Sequence, residues 1–439
     1  MIKNLNETIW DVVIIGAGIA GLTASIHLPQ TGRSVLVVDK GAQPGGRGMT
    51  NQLAGAQVNL GAHALSKSAL PLLHEVGVTP VGTEPKPPGK LIVKDADGEF
   101  IPISLTQLLL GPFLKWKEKT QLLRFYSRLR KADTPALSSI TLQAYLESRI
   151  SSLRVRHIVL ALVRLSTYCD APELLSAGAA IEQLRQGGVI YVDRGWQSIV
   201  NQLIERAQRL GTSFLNHSQV LEVSGSTPNM TVTLKNGTQL AARNVISTAG
   251  PSEMLAFLNP ALSTAEAAIY QNLIPVRAAC LDLVVSGMPQ QDTKFVLGIE
   301  APWYYSNHSQ AALLTDGRAH EVIHVMKYLP ASGRSDAKED KRELENFLDI
   351  IQPGWRRYVI QERFLPRMLV SHGTVTAVNG GLAGRPGPAV KGRPGLFIAG
   401  DWVGSKGMLL NASLASAKEA AQCIVSGIDQ DKEGIHGGT

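Results

Sequence analysis

The chain has 439 residues, of which 44% are hydrophobic and 18% are charged, and its formal net charge at pH 7 is +7. This composition excludes a disordered chain, because disorder needs low hydrophobicity and high net charge, and the length is sufficient for a large core in more than one domain. The charge is modest for this length and no long block of like charge carries it, so we predict no nucleic-acid partner.

An uncharged run over residues 12–26 has the length of the apolar part of a secretory signal. However, Glu7 and Asp11 occupy the positions where a signal carries positive charge, and the run contains three glycines, Gly16, Gly18 and Gly21, at the spacing of a known turn motif. We therefore interpret it as a buried strand, a turn and a helix, and we expect a cytoplasmic protein. No uncharged apolar run reaches the roughly 18 residues that a membrane span requires.

The first forty residues predict a strand over residues 11–15, a helix over 22–28 and a second strand over 34–38. The glycine-rich turn Gly16-Ala-Gly18-Ile-Ala-Gly21 joins the first strand to the helix. In this context Gly16 permits the tight turn, Gly18 lets the backbone approach a pyrophosphate, and Gly21 lets the helix pack on the strand. Asp39 follows the second strand and can accept hydrogen bonds from ribose hydroxyls. The pattern predicts a dinucleotide site and leaves NAD and FAD both open.

The next residues, Gly45-Gly46-Arg47, follow Asp39 closely. This combination resembles the flavin amine oxidase and phytoene desaturase superfamily. The resemblance implies that the cofactor is FAD, that the loop at Gly46 lies against it and that Arg47 lies near its flavin end. The predicted contacts of this first stretch also include Ala20 and Lys40.

The end of the chain contains a second motif of the same superfamily. A short apolar strand ends at Gly400-Asp401, and a helix is predicted over residues 408–425. The resemblance implies that Asp401 bonds the ribityl chain or the pyrophosphate, and that N–H groups near Met408 and Leu409 face flavin N1 and O2, where the reduced ring is negative. The family usually has a Ser-Gly pair in this helix, whereas this chain has Ala415-Ser416, which we expect to affect helix packing.

Two internal segments resemble the superfamily as well. Val220 precedes a hairpin turning at Asn236-Gly237, and a valine so placed holds the adenine through its backbone. The segment with Gly61, Ala62 and His63 resembles the one that passes beside the isoalloxazine ring.

The resemblance implies an α/β fold with a discontinuous Rossmann-like FAD-binding domain and an inserted α+β substrate-binding domain. We assign residues 1–66, 187–255 and 366–439 to the FAD-binding domain. Residues 67–186 and 256–365 are assigned to the substrate-binding domain.

The three cysteines, Cys169, Cys280 and Cys423, lie far apart and form no CxxC pair. Their spacing indicates neither a disulfide framework nor a zinc site, so we predict free thiols and no bound metal. Monoamine oxidases of the superfamily attach FAD through a cysteine near the C-terminus. Because Cys423 falls within the last helix and not in such a motif, we expect non-covalent FAD.

His63 and Tyr305 are the predicted catalytic residues, His63 beside the reacting atom or the flavin edge and Tyr305 in an aromatic wall over the flavin. The alternative for both is an ordinary structural role. Many amine oxidases of the superfamily place a lysine near flavin N5, and the comparable stretch of this chain offers Arg277 instead.

Residues 115–131 carry seven basic side chains and one acid, Glu118, together with three aromatic residues. Two interpretations remain open for this stretch. It is either the solvated face of a basic helix or an interfacial helix that makes peripheral contact with an anionic membrane and admits a lipid.

The predicted function is that of an FAD-dependent oxidoreductase that takes hydride from a substrate C–H bond to flavin N5. Desaturation of an apolar, isoprenoid-like small molecule is the first choice and amine oxidation is the alternative. Oxygen, a quinone or another acceptor would reoxidise the flavin, and the sequence leaves the electron acceptor open. Two further alternatives are a flavin-dependent isomerase without net redox change and a non-enzymatic prenyl-protein carrier of the same fold.

Overall fold

A computed structural model describes residues 8–427 except 62, 87–88, 96, 317–319 and 332–333. Its strands are β1 (Ile9–Ile15), β2 (Val35–Val38), β3 (Thr50–Leu53), β4 (Ala56–Asn59), β5 (Leu65–Ser66), β6 (Gly82–Thr83), β7 (Lys90–Lys94), β8 (Phe100–Ser104), β9 (Val189–Val192), β10 (Ser213–Leu215), β11 (Val220–Ser226), β12 (Asn229–Leu234), β13 (Gln239–Ser247), β14 (Val276–Val285), β15 (Phe295–Gly298), β16 (Trp303–Asn307), β17 (Glu321–Tyr328), β18 (Val359–Ser371) and β19 (Leu396–Ile398). Its helices are α1 (Ile19–His27), α2 (Leu70–Glu75), α3 (Leu105–Leu110), α4 (Trp116–Leu129), α5 (Leu142–Arg149), α6 (Leu153–Thr167), α7 (Ala177–Arg185), α8 (Gln197–Arg209), α9 (Pro251–Phe257), α10 (Thr264–Gln271), α11 (Ala337–Ile351) and α12 (Leu409–Ser426).

The first sheet has the strand order β10-β2-β1-β13-β12-β11, with β19 beside β13. Strands β10, β2, β1, β13 and β19 run parallel, and their buried residues are mostly β-branched, as expected for strands covered on both faces. The carboxyl ends of parallel strands meet at one edge. Consequently Gly16, Asp39, Thr248 and Gly400, each of which follows one of these strands, lie at the same edge of the sheet.

Helices α1 and α12 pack on one face of this sheet. Ala20 and Ala24 of α1 share a buried cluster with alanines of α12. Small side chains let two helices approach closely, which explains why the last helix is rich in alanine. The first and the last helix of the described chain thus lie together, since α12 packs on the helix that follows the first strand.

The second sheet has the order β18-β14-β17-β16-β15-β7-β8 and is antiparallel except where β15 pairs with β7. Helix α11 covers one face, where Tyr305, Phe347 and Leu348 belong to one buried cluster. The opposite face is directed toward the segment that precedes α2 and toward α6. The α/β fold class predicted from the sequence is confirmed, and the stretch from 105 to 184 is helical as expected.

The strands of the first sheet lie within the three segments assigned to the FAD-binding domain. Strand β18 of the second sheet continues to Ser371, across the predicted boundary between residues 365 and 366. The domain boundaries themselves stay a prediction. Within the described residues, no helix combines the length and the apolar character needed to cross a bilayer.

Candidate active site

A cavity of about 690 Å³ extends from the carboxyl edge of the first sheet to the second sheet. Its volume lies within the range typical of cofactor and small-molecule sites. It is lined by residues of β1, β2, β11 and β18, the loops that follow the first sheet's strands, and the N-termini of α1 and α12. The predicted cofactor contacts that line it are Gly16, Gly18, Ala20, Asp39, Lys40, Gly46, Arg47, Gly61, Val220, Gly400, Asp401, Met408 and Leu409.

Two of the three glycines of the first turn, Gly16 and Gly21, occupy positions that a side chain could not share. Gly16 has φ +99°, and a Cβ there would lie 2.4 Å from Thr248 Oγ1. A Cβ on Gly21 would lie 1.9 Å from the carbonyl oxygen of Gly16, so this glycine sets the distance between α1 and β1 and does not line the cavity. By contrast, no protein atom lies within 4 Å of a Cβ built on Gly18, which lines the cavity.

Helix α1 begins at this turn without a side-chain cap and with no acid in its first turn. Its N-terminal residues Gly18, Ile19 and Ala20 line the cavity. The first N–H groups of a helix have no intrahelical partner and carry partial positive charge, so this end can bind a phosphate.

Asp39 is held by two backbone N–H groups. Its Oδ2 accepts from Ala17 N and its Oδ1 from Gly41 N, both at 2.6 Å. A carboxylate has about four acceptor positions, so two are left for ribose hydroxyls. The neighbouring Lys40 forms an ion pair with Glu253 at the same end of the cavity.

Arg47 and Asp401 form a two-pronged ion pair that joins the two ends of the chain. Arg47 Nη1 lies 2.8 Å from Asp401 Oδ2, and Nη2 lies 3.0 Å from Oδ1. Asp401 also accepts from the backbone N–H of His372 at 3.1 Å. Burial alone would raise the pKa of Asp401, but the Arg47 charge outweighs it and lowers the pKa to about 2. The carboxylate is therefore charged at neutral pH.

The start of α12 is another helix N-terminus at the cavity that has no side-chain cap. Met408 is its N-cap residue and makes no side-chain cap hydrogen bond, and Leu409 has φ +54°. A leucine in the left-handed region is strained, and such strain is found mainly at ligand sites. The Ser416 hydroxyl accepts from Gly400 N at 2.9 Å and bonds Gly400 O at 3.0 Å. Ser416 belongs to the Ala415-Ser416 pair that replaces the usual Ser-Gly pair of the family. Its hydroxyl thus links α12 to Gly400, the residue before Asp401, and sequence reasoning missed this role.

His63 lines the cavity, but its ring is only 2% exposed. It stacks on His324 with ring centroids 4.1 Å apart, and its Nε2 lies 3.9 Å from Cys280 Sγ. Burial and the neighbouring His324 lower the pKa of His63 to about 3, so the ring is neutral at physiological pH. A catalytic role for His63 stays a prediction. Ala62, its predicted neighbour at the cofactor, lies outside the described residues.

The structure corrects the assignment of Tyr305. Its ring is fully buried on the face of the second sheet that α11 covers, and its hydroxyl accepts from Gln352 Nε2 at 3.2 Å. Successive strand residues point to opposite faces, and the next-door Tyr304 faces the cavity side, where it bonds Tyr191. Tyr168 does line the cavity, as do Trp196, Phe257 and Trp402, and sequence reasoning missed Tyr168 because it follows a helix without any motif.

These residues fit an extended dinucleotide. Two uncapped helix N-termini, a ribose acceptor at Asp39 and an open approach at Gly18 lie along a single cavity. The same cavity is also lined by Tyr168 and Val370. No cysteine is among the described residues that line it, in keeping with a cofactor held without a covalent bond. Fold and site together define a dinucleotide-binding protein.

Comparison with known proteins identifies the family. The profile of the flavin-containing amine oxidoreductases matches residues 19–279, more than half of the chain. The chain is 30% identical over 116 residues to a flavin-containing monoamine oxidase, AofH, of Mycobacterium tuberculosis, which covers 24% of this chain and 25% of that protein. It is 42% identical over 55 residues to a phytoene dehydrogenase of Streptomyces griseus, covering 12% and 11% of the two chains. The matched stretches thus span a quarter or less of these relatives.

Among solved structures, an oxidoreductase from Methanosarcina mazei superposes with a TM-score of 0.76 at 19% identity, over 94% of this chain and 99% of that one. This likeness shows the shared fold. The chain belongs to the flavin-containing amine oxidoreductase family. The cofactor of this family is FAD, and membership of a family of oxidoreductases speaks against the alternative of a non-enzymatic carrier.

Proposed function

We propose that this enzyme dehydrogenates an apolar substrate, introducing a double bond by hydride transfer to its flavin. The observation that carries the proposal is the state of the carboxylates at the cavity. In the described part of the chain three acids line it, and each is already engaged: Asp39 with backbone N–H groups, Glu253 with Lys40, and Asp401 with Arg47. A cationic amine would find no free carboxylate to offset its desolvation.

The residues that line the cavity near the Arg47–Asp401 pair also support an apolar substrate. It carries Tyr168, Leu369, Val370 and Leu410, with the amides of Gln183 and Gln186 nearby. Apolar walls with few polar groups suit a hydrocarbon chain better than a charged molecule. Arg277, which stands in the stretch where many amine oxidases have a lysine, does not line the cavity, and it donates to the carbonyl of Arg367 at 3.5 Å.

The protein's part in such a reaction is orientation and electrostatics. When FAD is bound, it supplies the acceptor for two electrons and one hydrogen, taken together as hydride, while the second hydrogen leaves the substrate as a proton. The N-terminus of α12 would stabilise the negative charge of the reduced ring. The Arg47–Asp401 pair keeps both ends of the chain in place around the cofactor, and oxygen or a quinone would reoxidise it.

An exposed surface explains how an apolar substrate could reach the cavity. Leu110, Trp116 and Leu123 on α3 and α4 are 80%, 78% and 65% exposed. Basic side chains surround them on α4 and the residues that flank it, namely Lys115, Lys117, Arg124, Arg128, Arg130 and Lys131, all exposed. Exposed apolar residues ringed by cations fit the surface of an anionic membrane. We call this set of residues the basic apolar surface.

The basic apolar surface adjoins the cavity wall. The Arg185 side chain at the end of α7 donates to the carbonyls of Leu129 and Ala132, at the end of α4. Gln183 and Gln186, beside Arg185, line the cavity. A lipid taken up at the surface would therefore enter beside the substrate end of the cavity.

Anaerobic reduction of the flavin tests the reaction. Purified holoenzyme is mixed without oxygen with an acyclic isoprenoid hydrocarbon in detergent, and in parallel with an aliphatic primary amine. We expect the visible flavin absorbance to bleach with the hydrocarbon and to persist with the amine. Bleaching by the amine alone would overturn the proposal in favour of amine oxidation. Turnover of prereduced enzyme with no external acceptor would instead indicate an isomerase.

Binding to vesicles tests the surface. The enzyme should sediment with vesicles containing phosphatidylglycerol and remain in solution with pure phosphatidylcholine vesicles. The double variant L110S/W116S should lose most of this binding, as should R124E/R128E. Val378→Ser removes an equally exposed apolar side chain elsewhere and serves as the control. Equal binding of all four proteins would refute the role of the basic apolar surface.

A further inference from the structure

Four potential metal ligands meet beneath the cavity, although they lie far apart in the sequence. His63, Cys280, Asp282 and His324 are all buried, and one donor atom from each lies within 4.8 Å of the others. His324 Nδ1 lies 2.6 Å from Asp282 Oδ1, and Cys280 Sγ lies 3.1 Å from the same oxygen. Cys280 Sγ is 3.9 Å from His63 Nε2.

Strand pairing brings three of these ligands together. Asp282 on β14 is directly opposite His324 on β17, and Cys280 lies two residues before Asp282, so both point to the same face of the sheet. On the other side of β14, Asp282 is paired with Arg363 of β18. His63 reaches the group from the segment that precedes α2.

His63 has no ordinary hydrogen bond in the described structure. Among the described residues its Nδ1 has no hydrogen-bond partner, and its Nε2 has only the weak contact with the Cys280 sulfur at 3.9 Å. A buried polar ring in this condition is rare, because an unpaired buried donor or acceptor is costly. Its Nε2 faces the cluster, as a ligand of an ion held between these four side chains would.

We propose that His63, Cys280, Asp282 and His324 form a closed binding site for a divalent transition metal ion of the zinc type. Two imidazoles, a thiol and a carboxylate make a borderline-soft donor set that suits zinc, and calcium or magnesium would require oxygen ligands instead. Four ligands at metal–ligand distances of about 2.0 to 2.3 Å stand roughly 3.5 Å apart, so separations of up to 4.8 Å between the donor atoms need changes of up to about 1.3 Å.

Binding of a divalent ion at this site would release one proton and would leave the ion and its ligands without net charge. The Cys280 thiol releases its proton to solvent, and the proton of His324 moves from Nδ1 to Nε2, which has no partner in the described structure. The thiolate and the carboxylate then neutralise the two charges of the ion. Arg363 stays on the other carboxylate oxygen, Oδ2, with its Nη2 at 2.6 Å, and orients Asp282 for coordination.

With four protein ligands and no open position, the ion would be structural. It would fasten the cavity-lining His63 to the second sheet, beside the place where Arg363 donates to the carbonyl of Asn59 at 2.7 Å. This inference concerns the architecture of the site and does not depend on the identity of the substrate.

Metal analysis of the holoenzyme tests the inference. Protein expressed with added zinc and purified without chelators should contain about one equivalent of zinc per chain by elemental mass spectrometry. Cys280→Ser should lower zinc to background while FAD content stays unchanged, because the thiol does not line the cofactor cavity. The control is Cys169→Ser, which replaces another buried thiol outside the cluster and should keep the zinc.

A wild-type titration covers the case in which Cys280→Ser fails to fold. Adding zinc to chelator-treated holoenzyme should raise the thermal midpoint and release about one proton per ion bound. Wild-type protein without zinc in both experiments, or a folded C280S variant that keeps its zinc, would overturn the inference and leave a hydrogen-bonded cluster. Neither result bears on flavin reduction by substrate, so the proposed function is tested separately.

Discussion

A few hydrogen bonds hold Gly400 and Asp401 in place at the cofactor cavity. Ser416 satisfies the backbone N–H and the carbonyl of Gly400, and the next residue, Asp401, takes the two prongs of Arg47. All these groups are buried or partly buried, where unpaired polar atoms are costly. Each of these contacts therefore has a measurable effect.

Ser416→Ala should lower the free energy of unfolding by about 1 to 3 kcal/mol, because it leaves a buried backbone N–H without a partner. It should also weaken FAD binding, since Gly400 precedes Asp401. Urea denaturation and FAD titration measure the two effects. Ser426→Ala is the control, because its hydroxyl bonds a carbonyl of its own helix at an exposed site. Equal stability of the two variants would contradict the role of Ser416.

The Arg47–Asp401 pair should make stability depend on acid pH. The pKa of Asp401 is lowered from 3.8 to about 2, so its stabilisation is present above pH 3.8 and is lost as the pH falls toward 2. The difference corresponds to about 2 kcal/mol at pH 7 and about half of that at pH 3. Asp401→Asn should therefore cost more stability at pH 7 than at pH 3. The exposed variant Glu205→Gln should show no such difference, and a pH-independent loss in Asp401→Asn would refute the assignment.

At the scale of elements, different residues of the strand–turn–helix unit of β1 and α1 serve folding and cofactor binding. Gly21 sets the approach of α1 to β1, whereas Gly18 faces open space in the cavity. The two glycines belong to one motif, but Gly21 is needed for helix–strand packing and Gly18 for the approach of the cofactor. Substitution by alanine distinguishes them.

Gly21→Ala should fold poorly, because its Cβ would lie 1.9 Å from the carbonyl oxygen of Gly16. Gly18→Ala should fold normally, since its φ is −72° and no protein atom lies within 4 Å of the added carbon. It should nevertheless lose at least about tenfold in FAD affinity, or about 1.4 kcal/mol, because the methyl group enters the pyrophosphate position. Thermal melting and flavin content measure both. Gly18→Ala protein with full flavin occupancy would count against the predicted approach of the pyrophosphate.

At the scale of the molecule, bound FAD should stabilise the fold by contacting segments that lie far apart in the sequence. The cavity takes its lining mainly from the first seventy residues, from the stretch around Val220, from the loop that follows the last strand and from the start of the last helix. A ligand that binds only the folded state adds RT ln(1 + [L]/Kd) to the free energy of unfolding.

FAD at about 100 times its Kd should therefore raise the free energy of unfolding by about 2.7 kcal/mol relative to the apoprotein. ADP, which reaches only the Asp39 end, should stabilise less. Thermal melts over a range of ligand concentrations give both values. A midpoint that does not change with FAD concentration would show that the cofactor does not join these segments.

The sequence by itself determined the cofactor half of this protein. A dinucleotide requires particular residue types at fixed local spacing, so its contacts could be predicted from the Gly16-to-Gly21 turn, Asp39, Arg47 and Asp401. The structure places these residues at one edge of the first sheet, around a single cavity. Only the tertiary structure decided the substrate half. Strand register turned Tyr305 away from the cavity and brought Cys280 and Asp282 to His324 and His63, which no spacing rule connects. Register depends on pairing between distant segments, so a linear pattern does not specify which side chains share a face.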